Sequence, residues 1–211
     1  MAAPCPESQS RLALIEALDA AVESSASPDN SSGDGPESIC NAVKEALQEA
    51  VAAKVKGEAL LDPAYLECSE SGYARHLFHR DPAGRYSVVI MVWDDGQGTP
   101  IHDHAGTWCV ECVYDGVIDV ESFEPVDGDP KQASELGFAP LDELHASVGM
   151  AGALIPPSEY HLIRNGGEGK AVTIHVYGGE LSSCNCYEEI APGRYRRASH
   201  PLSYDSTPCL G

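Results

Sequence analysis

Two histidines set one residue apart, His102 and His104, are the first positions in this chain whose type and spacing could do chemistry. In an extended segment, residues two apart project from the same face, so both imidazoles can point into one interior. Imidazole is a ligand for iron, copper, nickel and zinc. Taken alone, such a pair is more often two histidines of a polar turn than a metal site. Cysteine offers a second kind of chemistry, and the chain carries 8 of them. Cys184-Asn185-Cys186 is too close for an easy bridge and lacks the partner pair a zinc site needs. In a chain of this size without an export signal, free thiols are the default. Cys5, Cys40, Cys68 and Cys209 are read as incidental.

The elements that must position these residues fall into two kinds. Leu14, Ile15, Leu18, Ala21 and Val22 share one helical face between Arg11 and Val22. A loop dense in breakers follows from Ser27 to Pro36, and a second helix is predicted from about Glu37 to Lys54, burying Ile39, Val43, Leu47 and Val51. A short third helix is predicted around Ala64-Tyr65-Leu66. From Tyr73 the chain changes to short β-rich runs: Arg85–Trp93, Trp108–Tyr114, Val117–Phe123, Gly152–Ile155, Tyr160–Arg164 and Ala171–Tyr177. The turn at Asp115-Gly116 predicts that the second and third of these runs pair as a hairpin. Many short strands with regular turns predict a mainly β sandwich or small barrel, with the helices covering one face.

At 211 residues the chain fits one domain with ample length for a continuous core, and 43% hydrophobic residues is ordinary for a globular protein. No apolar run approaches a membrane span. The opening Met1-Ala-Ala-Pro-Cys-Pro-Glu7 has no basic region leading into an apolar stretch, so no secretory signal and a cytoplasmic location are expected. A formal charge of -20 with only 13 basic residues argues against nucleic acid as a partner.

The wider spacing raises the weight of the histidine pair. Gly96, His102-x-His104, Cys109 and Gly116 stand at spacings that resemble the first cupin motif, with cysteine where the acidic ligand usually stands. Pro156-x-Ser158-x-x-His161-x-x-x-Asn165 resembles the second, with serine for its glycine. The resemblance implies a single cupin β-barrel binding a metal through His102, His104 and His161, with no carboxylate. Three-histidine ligation marks the thiol dioxygenase branch. The likeness extends to Tyr73-Ala-Arg75, to Trp93 through His104, to His161–Asn165 and to His175-Val176-Tyr177, covering about residues 60 to 190. On these residues the chain resembles the cysteine dioxygenases.

That resemblance implies Fe(2+) as cofactor and free cysteine and dioxygen as substrates, with cysteine sulfinic acid as product. It implies Arg75 as the clamp for the substrate carboxylate, because guanidinium can grip it bidentately, with Tyr73 adding a hydroxyl. Taken alone, Arg75 would be a surface arginine before a loop. Tyr177 is implied as the catalytic phenol, oriented by His175, and Cys109 as able to form a thioether to Tyr177. The plain alternative for Cys109 is a small buried hydrophobe. Trp93 is read as a packing wall, and Cys184 matches a cysteine near the family's pocket entrance. One departure is Gly178-Gly179-Glu180 after the tyrosine, where many animal members have Ser-Pro-Pro; a flexible glycine pair is expected to hold Tyr177 less rigidly.

A mercaptopropionate dioxygenase would share the metal site, but that branch generally has glutamine where Arg75 stands. A cupin that binds metal or ligand without turnover is the alternative of another class. The expected organisation is helices and acidic loop over residues 1–58 and the barrel over 59–211, together one compact monomer.

Overall fold

A computed structural model describes residues 9–24, 35–57 and 59–207. Helices α1 (Gln9–Ser24) and α2 (Pro36–Val55) come first, followed by a single 3-10 turn at Pro63–Leu66. Proline opens α2 where its fixed φ suits a first turn, with Glu37 in that turn and Lys54 in the last, each matching the helix dipole. The Lys54 ammonium donates to the Tyr114 carbonyl at 2.8 Å and to Asp115 at 2.9 Å, tying α2 to the sheet beneath it. Asp62 caps the 3-10 turn by accepting from the Ala64 N–H at 3.0 Å.

The strands are β1 (Ala74–Arg80), β2 (Ser87–Trp93), β3 (Ile101–His102), β4 (Cys109–Asp115), β5 (Val117–Pro125), β6 (Glu135–Ser147), β7 (Ala151–Leu154), β8 (His161–Asn165), β9 (Ala171–Tyr177), β10 (Ser183–Ala191) and β11 (Arg194–Pro201). One sheet has the order β1-β2-β9-β4-β7. The other runs β10-β11-β6-β5-β8-β3, and its pairings close on themselves. The fold is mainly β, as expected. No helix among the described residues is long and apolar enough to cross a membrane.

Period two in the first sheet separates two cores. Val88, Ile90 and Val92 of β2, Val110 and Cys112 of β4, and Val172, Ile174 and Val176 of β9 pack against Leu14, Leu18, Val43, Leu47 and Val51 of the helices. Leu18, Val43 and Leu47 are fully buried there, each contributing about 1.5–3 kcal/mol. The intervening residues Val89, Met91 and Trp93, Cys109 and Val113, and Ala171 and Tyr177 face the other way, toward Ile118, Ala146 and Ile163 of the second sheet. Because both faces of β2 and β9 are covered, every residue of both strands is buried. A polar residue at an inward position of β4 or β9 therefore enters a closed interior.

Several sequence expectations change. The two helices run slightly longer than predicted, and the third is the 3-10 turn. The breaker-rich loop expected over 27–36 lies outside the described residues up to position 34. β4 and β5 do not form a hairpin: both edges of β4 are taken by β7 and β9, so the Asp115-Gly116 turn carries the chain into the other sheet, where β5 pairs with β6 and β8. Gly116 is required there, with φ 72° and backbone of Ala171 at 2.9 Å from where a Cβ would sit.

Candidate metal centre

β3 and β8 are antiparallel neighbours in which His102 and His161 are direct register partners, so their side chains leave the same face. His104 follows two residues after His102, where the chain has left the strand. Asp103, between them, is buried and holds this segment to β10: its carboxylate accepts from Asn185 N–H at 2.9 Å and Asn185 Nδ2 at 2.7 Å. The His104 N–H donates to the buried Glu159 carboxylate at 3.0 Å. The three rings then lie 5.3, 4.4 and 5.1 Å apart, centroid to centroid. One ligand atom from each of His102, His104 and His161 falls within 4.8 Å of the others.

The hydrogen bonds around these rings present nitrogen lone pairs inward. His161 Nδ1 lies 3.1 Å from the Glu159 carbonyl and His102 Nδ1 3.2 Å from the Pro100 carbonyl. A carbonyl only accepts, so each Nδ1 carries the hydrogen and each Nε2 is left to bind. His161 Nε2 and both nitrogens of His104 are buried without a hydrogen-bond partner. Unsatisfied buried polar atoms cost about 1–3 kcal/mol each, a cost that a bound metal would remove at His161 Nε2 and at one of the His104 nitrogens. Burial, then the neighbouring His161, pulls the His102 imidazole down to about 3, and burial with both neighbours pulls His104 well below the usual histidine range. Neutral imidazole is the form that binds metal, and His102 and His104 are held in it. At His161 burial is outweighed by the Glu111 carboxylate, which raises that imidazole. Three converging imidazole nitrogens are a donor set that fits a metal ion.

The adjoining sheet supplies the other inward groups. On β4 and β9 the register pairs Cys109 with Tyr177 and Glu111 with His175. Burial pushes the Cys109 thiol and the Tyr177 phenol well above their ordinary values. His175, expected to orient Tyr177, makes its nearest polar contacts with Thr173 and Glu111. Its Nε2 lies 2.7 Å from Thr173 Oγ1, which in turn accepts from the Trp93 indole N–H at 2.9 Å, and its Nδ1 faces Glu111 at 3.3 Å. The His175 and Tyr177 rings are near-parallel, with centroids 6.1 Å apart.

Arg75, on β1, is buried rather than at the surface, only 4% exposed. Its Nη1 donates to the Ser203 carbonyl at 3.1 Å, while Nε and Nη2, the two donors of one edge of the fork, have no partner. Tyr73 stacks on Trp93 at 4.6 Å, and Trp93 is a fully buried wall as expected. Cys184 is buried with its Sγ 3.9 Å from Cys186 Sγ; all six cysteines among the described residues are free. The glycine pair after Tyr177 is not loose: Gly178 N–H donates to the Trp108 carbonyl at 3.0 Å and the Gly179 carbonyl accepts from Ser87 Oγ at 2.7 Å. A Cβ on Gly178 would sit 2.3 Å from the Trp108 indole nitrogen, so the glycine lets that ring lie over the chain.

Glu111 and Thr173 were missed in the sequence. The Glu111 carboxylate lies 3.4 Å from His161 Nε2 and 3.3 Å from His175 Nδ1. Burial opposes its charge, but His175 and His161 overcome that and hold the carboxyl well below the usual range. Glu111 and Thr173 also line a cavity of about 190 Å³ that continues between the sheets past Ile163, Met150 and Leu154.

The family model for cysteine dioxygenase type I matches residues 43–190. The chain belongs to that family. Among curated proteins, the chain of this family member is 22% identical to cysteine dioxygenase type 1 of Danio rerio over 118 residues, 56% of each chain. It is 21% identical to cysteine dioxygenase type 1 of Rattus norvegicus over 131 residues, 59% of this chain and 60% of that one. The chain thus matches less than two thirds of the length of these relatives. Similar solved structures include an uncharacterized protein with a double-stranded beta-helix domain from Klebsiella pneumoniae, at TM-score 0.46 and 16% identity, covering 63% of this chain and all of that one. A cupin superfamily protein from Desulfitobacterium hafniense has TM-score 0.39 and 11% identity, covering 55% and 84% of the two chains.

Proposed function

We propose that this protein is an iron(II)-dependent thiol dioxygenase that converts L-cysteine and dioxygen to cysteine sulfinic acid. The observation that carries this reading is the convergence of three imidazoles, two with their Nε2 lone pairs set by carbonyls behind them, in a largely buried pocket. His102, His104 and His161 would hold the iron, which when bound supplies the redox chemistry of dioxygen activation and favours the thiolate form of a thiol.

The chain's own residues then select and orient the substrate. The unpartnered Nε and Nη2 of Arg75 form a bidentate grip for a carboxylate, stronger for being buried. Tyr73 stands two residues before Arg75, held against Trp93, and adds a hydroxyl at the same end. This fork supports cysteine or another thiol carrying a carboxylate over thiols that lack one. Tyr177 acts as a neutral hydrogen-bond donor near the reacting sulfur, its buried phenol resisting ionisation. Cys109, its register partner on β4, would form the cross-link to that phenol. His175, fixed by Thr173, is a positioning residue that backs the Tyr177 ring rather than a donor to its hydroxyl. Much of the rate would come from holding reactants in place and excluding water.

The test is oxygen uptake by the iron-loaded protein with cysteine, mercaptopropionate and cysteamine offered in parallel. Cysteine should be consumed fastest, with sulfinate formed. Uptake with mercaptopropionate alone would move the assignment to that thiol, and metal binding without uptake for any thiol would mark a non-catalytic binder.

A further inference from the structure

β1 is the edge strand of its sheet, and the chain returns after β11 to cover that edge. The Asp205 N–H donates to the Arg75 carbonyl at 2.8 Å and the Leu77 N–H to the Ser206 carbonyl at 3.0 Å. The Asp205 carboxylate accepts from the Arg75 N–H at 2.8 Å, and Ser206 Oγ lies 2.7 Å from His76 Nδ1. Residues 203–206 are therefore a strap laid along β1, with its register fixed at Arg75 and the two residues after it.

The strap also meets the Arg75 side chain at two points. The Ser203 carbonyl accepts from Nη1 at 3.1 Å, and the guanidinium Cζ lies over the Tyr204 ring, 5.3 Å from its centroid. A long arginine side chain keeps one orientation only where its surroundings hold it, because ordering it costs rotamer freedom. Here a carbonyl takes one end of the planar group and a ring takes one face, so the edge formed by Nε and Nη2 is what remains for a ligand. Tyr204 is fixed in its turn: it packs against the inner core, and its hydroxyl donates to Glu180 Oε1 at 2.9 Å. Glu180 is a rival for the open edge, near enough for Arg75 to act on its charge. Its oxygens are engaged instead by Arg80, at 2.6 and 2.9 Å, and by the Tyr204 hydroxyl.

We propose that Tyr204 is a specificity-determining positioning residue: packed on the Arg75 guanidinium and bonded to Glu180, it keeps the open edge of the fork free for a substrate carboxylate. The proposal rests on the reading of Arg75 as the clamp and adds to it the strap that aims the clamp. Discrimination between thiols with and without a carboxylate then depends on the strap as well as on Arg75.

The test compares iron-loaded wild type, Tyr204→Ala, Tyr204→Phe, Arg75→Ala and the Arg75→Ala/Tyr204→Ala double variant, with cysteine and with cysteamine, which has no carboxylate. A cation–π contact and the bond that orients it are together worth about 3- to 30-fold. Tyr204→Ala should raise KM for cysteine by about that factor, with less effect on kcat and on cysteamine. Tyr204→Phe, which keeps the ring and loses the hydroxyl, should fall between it and the wild type. In the double variant, loss of the tyrosine should add nothing to loss of the arginine, because the tyrosine acts through it. A merely structural role would weaken both thiols alike and add in the double variant, and that result overturns the proposal. Wild-type cysteine kinetics in Tyr204→Ala beside an impaired Arg75→Ala also overturns it, while leaving the clamp standing. If Arg75→Ala discriminates as the wild type does, or the wild type oxidises neither thiol, the clamp reading falls and the proposal with it. Should Tyr204→Ala melt well below the wild type, Tyr204→Leu, which fills the space without a π face, takes its place with the same expected outcomes.

Discussion

Replacing Thr173 by valine tests the polar chain behind His175 with little change of shape. Thr173 is 3% exposed, and its hydroxyl accepts from the Trp93 indole at 2.9 Å and meets His175 Nε2 at 2.7 Å. Valine keeps the volume and removes the only oxygen between two fully buried groups. Each group left without a partner costs about 1–3 kcal/mol, and because the two share one oxygen the total should be about 2–4 kcal/mol. For a domain of this size about 1 kcal/mol shifts Tm by 2–4 °C, so Tm should fall by roughly 5–15 °C. Thr173→Ser provides the comparison: it keeps both bonds and deletes one methyl, for about 1 kcal/mol. Thermal unfolding followed by near-ultraviolet circular dichroism and tryptophan emission measures both. The reasoning fails if the valine variant melts with or above the serine variant, because the hydroxyl would then contribute nothing that a methyl does not replace.

Arg75→Ala should mainly raise KM for cysteine, by about ten- to a hundredfold for a lost charge-assisted pair of 1.5–3 kcal/mol, and steady-state kinetics that match the wild type would remove Arg75 from the clamp. If the Cys109–Tyr177 thioether forms during turnover, protein cycled with iron should lose a pair of hydrogens in intact mass, and Cys109→Ser should abolish that change while lowering activity without eliminating it; peptide mapping that finds Cys109 wholly free would refute it. Asp81 accepts from the Arg85 N–H at 2.8 Å and from its guanidinium at 2.8 and 3.0 Å, and those bonds hold its carboxyl well below the usual range against the effect of burial. A depressed folded value means the stabilisation is complete above the unfolded value of about 4 and fades as pH falls through the folded one. Asp81→Asn should therefore lower Tm at neutral pH, with the gap to wild type closing in acid; a gap constant from pH 7 down to the acid transition would contradict this.

The parts of the site that were legible in the sequence are those written in spacing. His102 and His104 are two apart, and His161 sits in a second motif that the fold brings beside the first as a register partner. The same period of two could have found Glu111 and Thr173, which share inward faces with Cys109 and with His175 and Tyr177. Glu111 was passed over because Cys109 already filled the motif position expected of a ligand. Thr173 was passed over because threonine in a strand needs no explanation beyond its β propensity. The buried Arg75 could not be derived from composition, since its burial is made by Ser203, Tyr204 and Asp205, far along the chain.

The fold was legible where strands are apolar and opaque where they are not. β2, β4 and β9 are mostly apolar because both their faces are covered. β6 exposes most of its length, and β10 and β11 are polar over much of theirs, so no apolar period marks them. Their extended form comes from pairing, β6 with β5 and β10 with β11, and across long sequence separations β10 with β3 and β11 with β6. The expectation of a loose Gly178-Gly179 read the residue type without its neighbour: the Trp108 ring covers Gly178, and backbone bonds fix both positions.

The central claim, that this site adds dioxygen to a thiol, is tested most directly by supplying the iron-loaded protein with cysteine under isotopically heavy dioxygen and weighing the product. The account predicts cysteine sulfinic acid with both new oxygen atoms labelled, and no such product from His161→Ala. Cystine or unchanged cysteine, or a sulfinate whose oxygen derives from water, would contradict it.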